Sequence, residues 1–161
     1  MNKRIVSLVL LGSLNFLQAN TNDEFINFAL KNIHERNFHG CDDAVKKIFN
    51  IARGDDMNIS TNLFKNLNDT IKLTSTFGYK NDSVYMEAEI RKKDNKCYVT
   101  QTSILNFSNS CIEYAKSMQE FKFATQNLDY TWMTHYDNNT NMILKPIGNN
   151  CLVIYNINWV N

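Results

Sequence analysis

From residue 21 onward the apolar positions first recur at helical spacing. Phe25, Ile26, Ala29, Leu30 and Ile33 share one face, with Thr21 and Glu24 spaced as a capping box ahead of them and Asn37 and Gly40 as stop residues behind. A second helix is predicted from Asp42: acids at its start suit the positive pole of the helix dipole, and Val45, Ile48, Phe49 and Ala52 form its stripe before Arg53-Gly54 ends it. The two make a helical hairpin with one apolar side. Residues 54–68 carry Gly54, Asp55, Asp56 and several asparagines, anchored only by Leu63, Phe64 and Leu67, and read as a loop holding about one helical turn.

The period then changes from 3.6 to 2. Ile71, Leu73 and Phe77 occupy odd positions; after a turn at Tyr79 to Asp82, Val84, Met86, Ala88 and Ile90 alternate with Tyr85, Glu87, Glu89 and Arg91. A third strand runs from Cys97 to about Leu105 beyond the polar tip Lys92 to Lys96, which predicts three antiparallel strands with one face covered. Ser110 and Glu113 form a second capping-box pattern, opening a short helix through Ile112, Ala115 and Met118. Strand-like segments follow at Phe121 to Thr125, Leu128 to Tyr136, Met142 to Pro146 and Leu152 to Val160, with Asn138-Asn139 and Gly148-Asn149-Asn150 as turns. Pro146, the only proline, belongs at a strand end or edge. The expected fold is α+β, a mostly antiparallel sheet of six or seven strands with two N-terminal helices and one mid-chain helix on one face.

The segment before this pattern has a different character. Lys3 and Arg4 precede an apolar run from Ile5, and Ala19 supplies a small residue at a cleavage point, so residues 1–19 read as a cleavable signal peptide and residues 20–161 as a single disulfide-containing domain. The apolar run is shorter than the ~20 residues of a membrane-spanning helix, so no membrane span is expected after cleavage. The expected location is periplasmic or secreted. The wealth of Asn, Lys and Ile fits an AT-rich bacterial genome, in which the Asn-x-Ser/Thr triplets at Asn58, Asn68, Asn81, Asn106 and Asn138 arise by composition; in a eukaryotic secretory protein the same triplets would be glycan acceptors.

All four cysteines, Cys41, Cys97, Cys111 and Cys151, lie in the mature part, and none belongs to a close pair of the kind a zinc site uses. An even count in an exported chain predicts two disulfides. Three connectivities are open. Each half of the chain places a cysteine at a helix start (Cys41, Cys111) and another at a strand opening after a polar turn (Cys97, Cys151), so a degenerate tandem repeat would pair Cys41 with Cys97 and Cys111 with Cys151.

Without Lys3 and Arg4, the 17 basic residues fall to 15, against 16 acidic ones. This balance offers no electrostatic reason for nucleic acid as a partner. The densest set of metal-ligand types, His34, His39, Cys41, Asp42 and Asp43, has no recognised metal-site spacing. No metal or cofactor is expected, since phosphate-binding loops and hydrolase motifs are missing and glycines number five. Glu87 and Glu89 share a strand face, and His135 lies near Asp137, so a small hydrolase would use these groups, though no catalytic residue is assigned. Tyr130, Trp132 and Tyr136 share one side of a predicted strand, and Tyr155 and Trp159 one side of another. Such aromatics serve cores and protein interfaces alike. The expected function is an exported protein-binding module, an inhibitor or immunity protein with a protein partner in the cell envelope. A hydrolase, or a carrier of a small apolar ligand, is the alternative.

Overall fold

The computed structural model describes residues 22–64 and 68–161. The expected signal peptide and the cap residue Thr21 lie outside the described residues. The first helix, α1, covers residues 22–34. It ends as expected: Asn37 adopts φ 59°, and the Phe38 N–H donates to the Ile33 carbonyl at 3.1 Å, a wrap of the Schellman kind that satisfies an end carbonyl and turns Phe38 inward. Helix α2 (Asp42–Phe49) buries its predicted stripe, with Val45, Ile48 and Phe49 at most 1% exposed.

Among the described residues, eight strands form one antiparallel sheet: β1 (Asp56–Leu63), β2 (Thr70–Tyr79), β3 (Asp82–Lys93), β4 (Lys96–Phe107), then, after α3 (Cys111–Ser117), β5 (Phe121–Asn127), β6 (Tyr130–His135), β7 (Thr140–Ile147) and β8 (Asn150–Val160). Their spatial order is β1-β2-β3-β4-β8-β7-β6-β5, two meanders joined through β4 and β8. The α+β class is as expected, but the sheet has eight strands rather than six or seven. The additional one is β1, read above as a loop. It alternates Met57, Ile59 and Thr61 against Asn58, Ser60 and Asn62, and only Ile59 and Thr61 are buried. An edge strand needs one apolar face and one set of ladder bonds, so it carries a weak period-2 signal.

The described helices all pack on one face, over two adjacent cores. The larger joins α1 and α2 to Ile71, Leu73, Met86, Ala88, Ile90 and Val99 of β2, β3 and β4. The smaller joins α3 to Met133, Met142, Leu144 and Val153. The Ser110/Glu113 capping box is present in full. The stripe of α3 is shifted from the expected one: Ile112 is exposed, and Tyr114 is the residue that turns inward with Cys111, Ala115 and Met118. Cys111, bridged to Cys151, lies on this inward side.

The disulfides join Cys41 to Cys97, with Cα atoms 5.8 Å apart, and Cys111 to Cys151, with Cα atoms 4.8 Å apart. Each ties the start of a helix to the start of a central strand. The β4–β8 ladder is symmetric about its own middle: Cys97, opening β4, exchanges backbone hydrogen bonds with Asn161, while Cys151, opening β8, faces Phe107 at the end of β4. Two-residue tips at Asp94-Asn95 and Gly148-Asn149 precede the two cysteine strands.

Entry into β1 depends on Gly54. Its φ is 146°, and a Cβ there would meet the backbone of Gly78 at the end of β2 inside van der Waals contact. Gly54→Ala is expected to cost about 3 kcal/mol, from backbone strain together with overpacking against atoms that cannot move aside. Gly148→Ala, at φ 60° with nothing within 4 Å of the new Cβ, should cost only about 1 kcal/mol. Urea denaturation of both variants checks the difference.

Candidate functional site: the open face of the sheet

The register assigns every strand residue to a face. Odd positions of β4 and β8 are on the face that carries the helices; the even positions make the opposite face, which no described element covers. Across it the pairing sets Trp132 beside Ile143, Ile143 beside Ile154, Ile154 beside Ile104, and Ile104 beside Tyr85. This apolar row crosses five strands. Trp132 (39%) and Tyr85 (37%) are exposed at its ends, while Ile143 in the row is only 9% exposed because its cross-strand neighbours close over it.

Polar groups flank the row. On one side the Lys145 Nζ lies 4.7 Å from the Tyr130 ring centroid, donates to the Tyr130 hydroxyl at 3.1 Å and sits 3.7 Å from Asp129. On the other side Thr102 donates to Asn156 at 2.9 Å, and Glu87 accepts from the Tyr85 hydroxyl at 2.6 Å and pairs with Lys72 at 2.9 Å. These contacts hold the Glu87 carboxyl below its usual range, the Tyr85 hydrogen bond first and Lys72 second.

The five aromatic residues considered from sequence are divided. Tyr130 and Trp132 are on the open face. Tyr136 lies just past β6 in the following turn, 63% exposed. Tyr155 and Trp159 are on the helix-covered face. Tyr155 packs on the smaller core, with its hydroxyl 2.8 Å from that of Tyr114; Trp159 packs against the larger core, with the Lys47 ammonium 4.2 Å from its ring centroid. Strand spacing put Tyr130, Trp132 and Tyr136 on one side of a strand and Tyr155 and Trp159 on one side of another, but left open which side the helices cover. The residues missed were Ile104, Ile143 and Ile154, which join the aromatic ends of the row.

Burial, and then the Tyr114 hydrogen bond, push the Tyr155 phenol far above the ordinary tyrosine range. A phenol that resists ionisation only when folded contributes stability that is intact below about pH 10 and is lost as the unfolded chain ionises above it. Stability measured by denaturant should therefore fall above that pH, and Tyr155→Phe should fall less steeply.

The other candidate groups do not converge into a catalytic arrangement. Glu87 and Glu89 stand on the open sheet. His135 has Nδ1 2.8 Å from Asp137 and Nε2 3.8 Å from Glu120, so both ring nitrogens face carboxylates. His34 Nε2 lies 3.1 Å from each oxygen of Asp42, tying the end of α1 to the start of α2, and its ring is 4.9 Å from that of His39. Among the described residues no three His, Cys, Asp or Glu side chains gather to hold a metal ion. No described helix is long and apolar enough to cross a membrane.

No protein-family model, no curated protein sequence and no solved structure matches the chain.

Proposed function

We propose that this is an exported protein-binding module, working in the periplasm or outside the cell, that docks a protein partner of the envelope on the open face of its sheet. A partner enzyme that it inhibits, or to which it confers immunity, suits a rigid, disulfide-tied platform. What supports this most directly is the row from Trp132 through Ile143, Ile154 and Ile104 to Tyr85, an apolar centre with a polar surround on a face left uncovered by every described helix. Interfaces commonly have an apolar centre and a polar rim, with Trp and Tyr over-represented among the residues that dominate affinity. Export is supported by two disulfides, which persist in oxidising compartments, and by the signal-like composition of residues 1–19.

We propose further that the two halves descend from one duplicated unit of helix, meander and disulfide. The symmetric β4–β8 ladder, the matching tips and the equivalent disulfides support this. Superposing β3–β4 on β7–β8 tests it: Cys41 and Cys111 should then coincide to within a few ångströms, and a separation near a helix diameter of ~10 Å would refute it.

Tagged protein recovered from the envelope of its native host should bring down a stoichiometric protein. Trp132→Ala should weaken that complex by about 30-fold, about 2 kcal/mol, while leaving the melting midpoint nearly unchanged, because Trp132 is half exposed and outside both cores. Full retention of the complex in Trp132→Ala would remove the open face from the account.

A further inference from the structure

Between its two helical covers, the other face of the sheet is open in a strip. Gln101 of β4, Ile157 of β8 and Thr140 of β7 form one row there, with Trp159 in the next. Beside the end of α2 this strip holds a cavity of about 330 Å³, walled by Ile48, Ile51, Ile157 and Trp159, at the lower end of small-molecule sites (~300–1,000 Å³). Gln101, 5% exposed, breaks the apolar alternation of β4 at this point; its amide donates to Ser103 Oγ at 3.2 Å. A buried polar residue on a core-facing position is where folding and function diverge.

Two opposite charges line the same cavity. Lys47 lies over the Trp159 ring at 4.2 Å and, among the described residues, pairs with no carboxylate. Asp137 accepts from the Asn139 N–H at 2.9 Å and contacts His135 at 2.8 Å. These two groups, Asn139 first, hold its carboxyl below the usual range, so it is anionic at neutral pH. The carbonyls ending α2, which would repel an anion near Lys47, are already occupied: Asn22 donates to Phe49 and Ala52, both at 2.9 Å, and Arg53 to Asn50 at 2.9 Å and Ala52 at 2.7 Å.

We propose that this cavity binds a small zwitterion with an apolar side chain, a free amino acid or dipeptide, with its carboxylate at Lys47, its ammonium toward Asp137 and its side chain against Ile48, Ile51, Ile157 and Trp159. A ligand with one charge would satisfy one polar group and leave the other facing an apolar chain. The site is on the opposite face from Trp132 and is independent of the docking row.

The test uses ¹⁵N-labelled, disulfide-bonded protein titrated with L-leucine, leucinamide and 4-methylpentanoate, following the two indole N–H resonances. Leucine should shift the Trp159 signal saturably and leave Trp132 still. Lys47→Met and Asp137→Asn should each weaken leucine at least tenfold. Leucinamide, which lacks the carboxylate, should bind Lys47→Met and the parent protein equally, and 4-methylpentanoate, which lacks the ammonium, should be indifferent to Asp137→Asn. The absence of a saturable Trp159 shift, or leucine binding unaffected by both substitutions, would overturn the proposal.

Discussion

In a buffer that reduces both disulfides the protein is expected to unfold at 37 °C. The bridges span 56 and 40 residues of sequence, and on the chain-entropy account each restricts the unfolded chain by about 4 kcal/mol. Together that is about 8 kcal/mol, against a total stability of ~5–15 kcal/mol for a domain of ordinary size. The bonds are also structural links: Cys41 and Cys151 are at most 1% exposed, and each bridge pins a helix start to one of the two strands that join the meanders. Near-ultraviolet circular dichroism with and without a phosphine reductant reads the loss directly. A reduced protein that kept its aromatic signal and its melting midpoint would mean that the two cores suffice without the bridges.

The second large effect is expected at Phe49. It is fully buried at the end of α2 in the larger core, beside Ile48 and Val45. Phe49→Ala removes the ring and leaves a cavity that a sheet and two helices cannot close, at a cost of about 4 kcal/mol. Because the larger core includes α1, α2 and four strands, the denaturation midpoint should drop while the slope with denaturant stays the same. The neighbouring Lys47 serves as the contrast. It lies on the rim of the same helix, so Lys47→Met should alter stability by only a few tenths of a kcal/mol.

These two sites differ in how plainly the chain announces them. The α2 stripe, the end of α1 at Asn37, the capping box at Ser110 and the tip at Asp94-Asn95 all rest on local chemistry, and local chemistry is legible in sequence. Strand β1 was not, because an Asn-rich edge strand buries only Ile59 and Thr61. The rotation of α3 was not, because a stripe through Ile112 and one through Tyr114 are nearly equivalent until Cys111 is tied to Cys151. The candidate site was legible only in part for the same reason. Alternation told that Tyr155 and Trp159 share a side, but which side the helices cover depends on the β4–β8 register, a pairing between residues from 44 (Phe107 with Cys151) to 62 (Tyr98 with Val160) positions apart. The isoleucines of the docking row were hidden in the same way: Ile104, Ile143 and Ile154 come from three separate strands and meet only across the ladder. Gln101 did leave a trace, as one of two polar residues, with Ser103, on the inward side of β4.

The most direct measurement is site-specific photo-cross-linking in the native host. A photoreactive phenylalanine analogue replaces Tyr85 on the open face in one strain and Lys46 on the exposed side of α2 in another. One discrete protein adduct is expected from position 85, lost when Trp132→Ala is added, and none from position 46. An adduct from position 46 alone would place the partner on the helices and contradict the assignment of the sheet's open face as the binding surface.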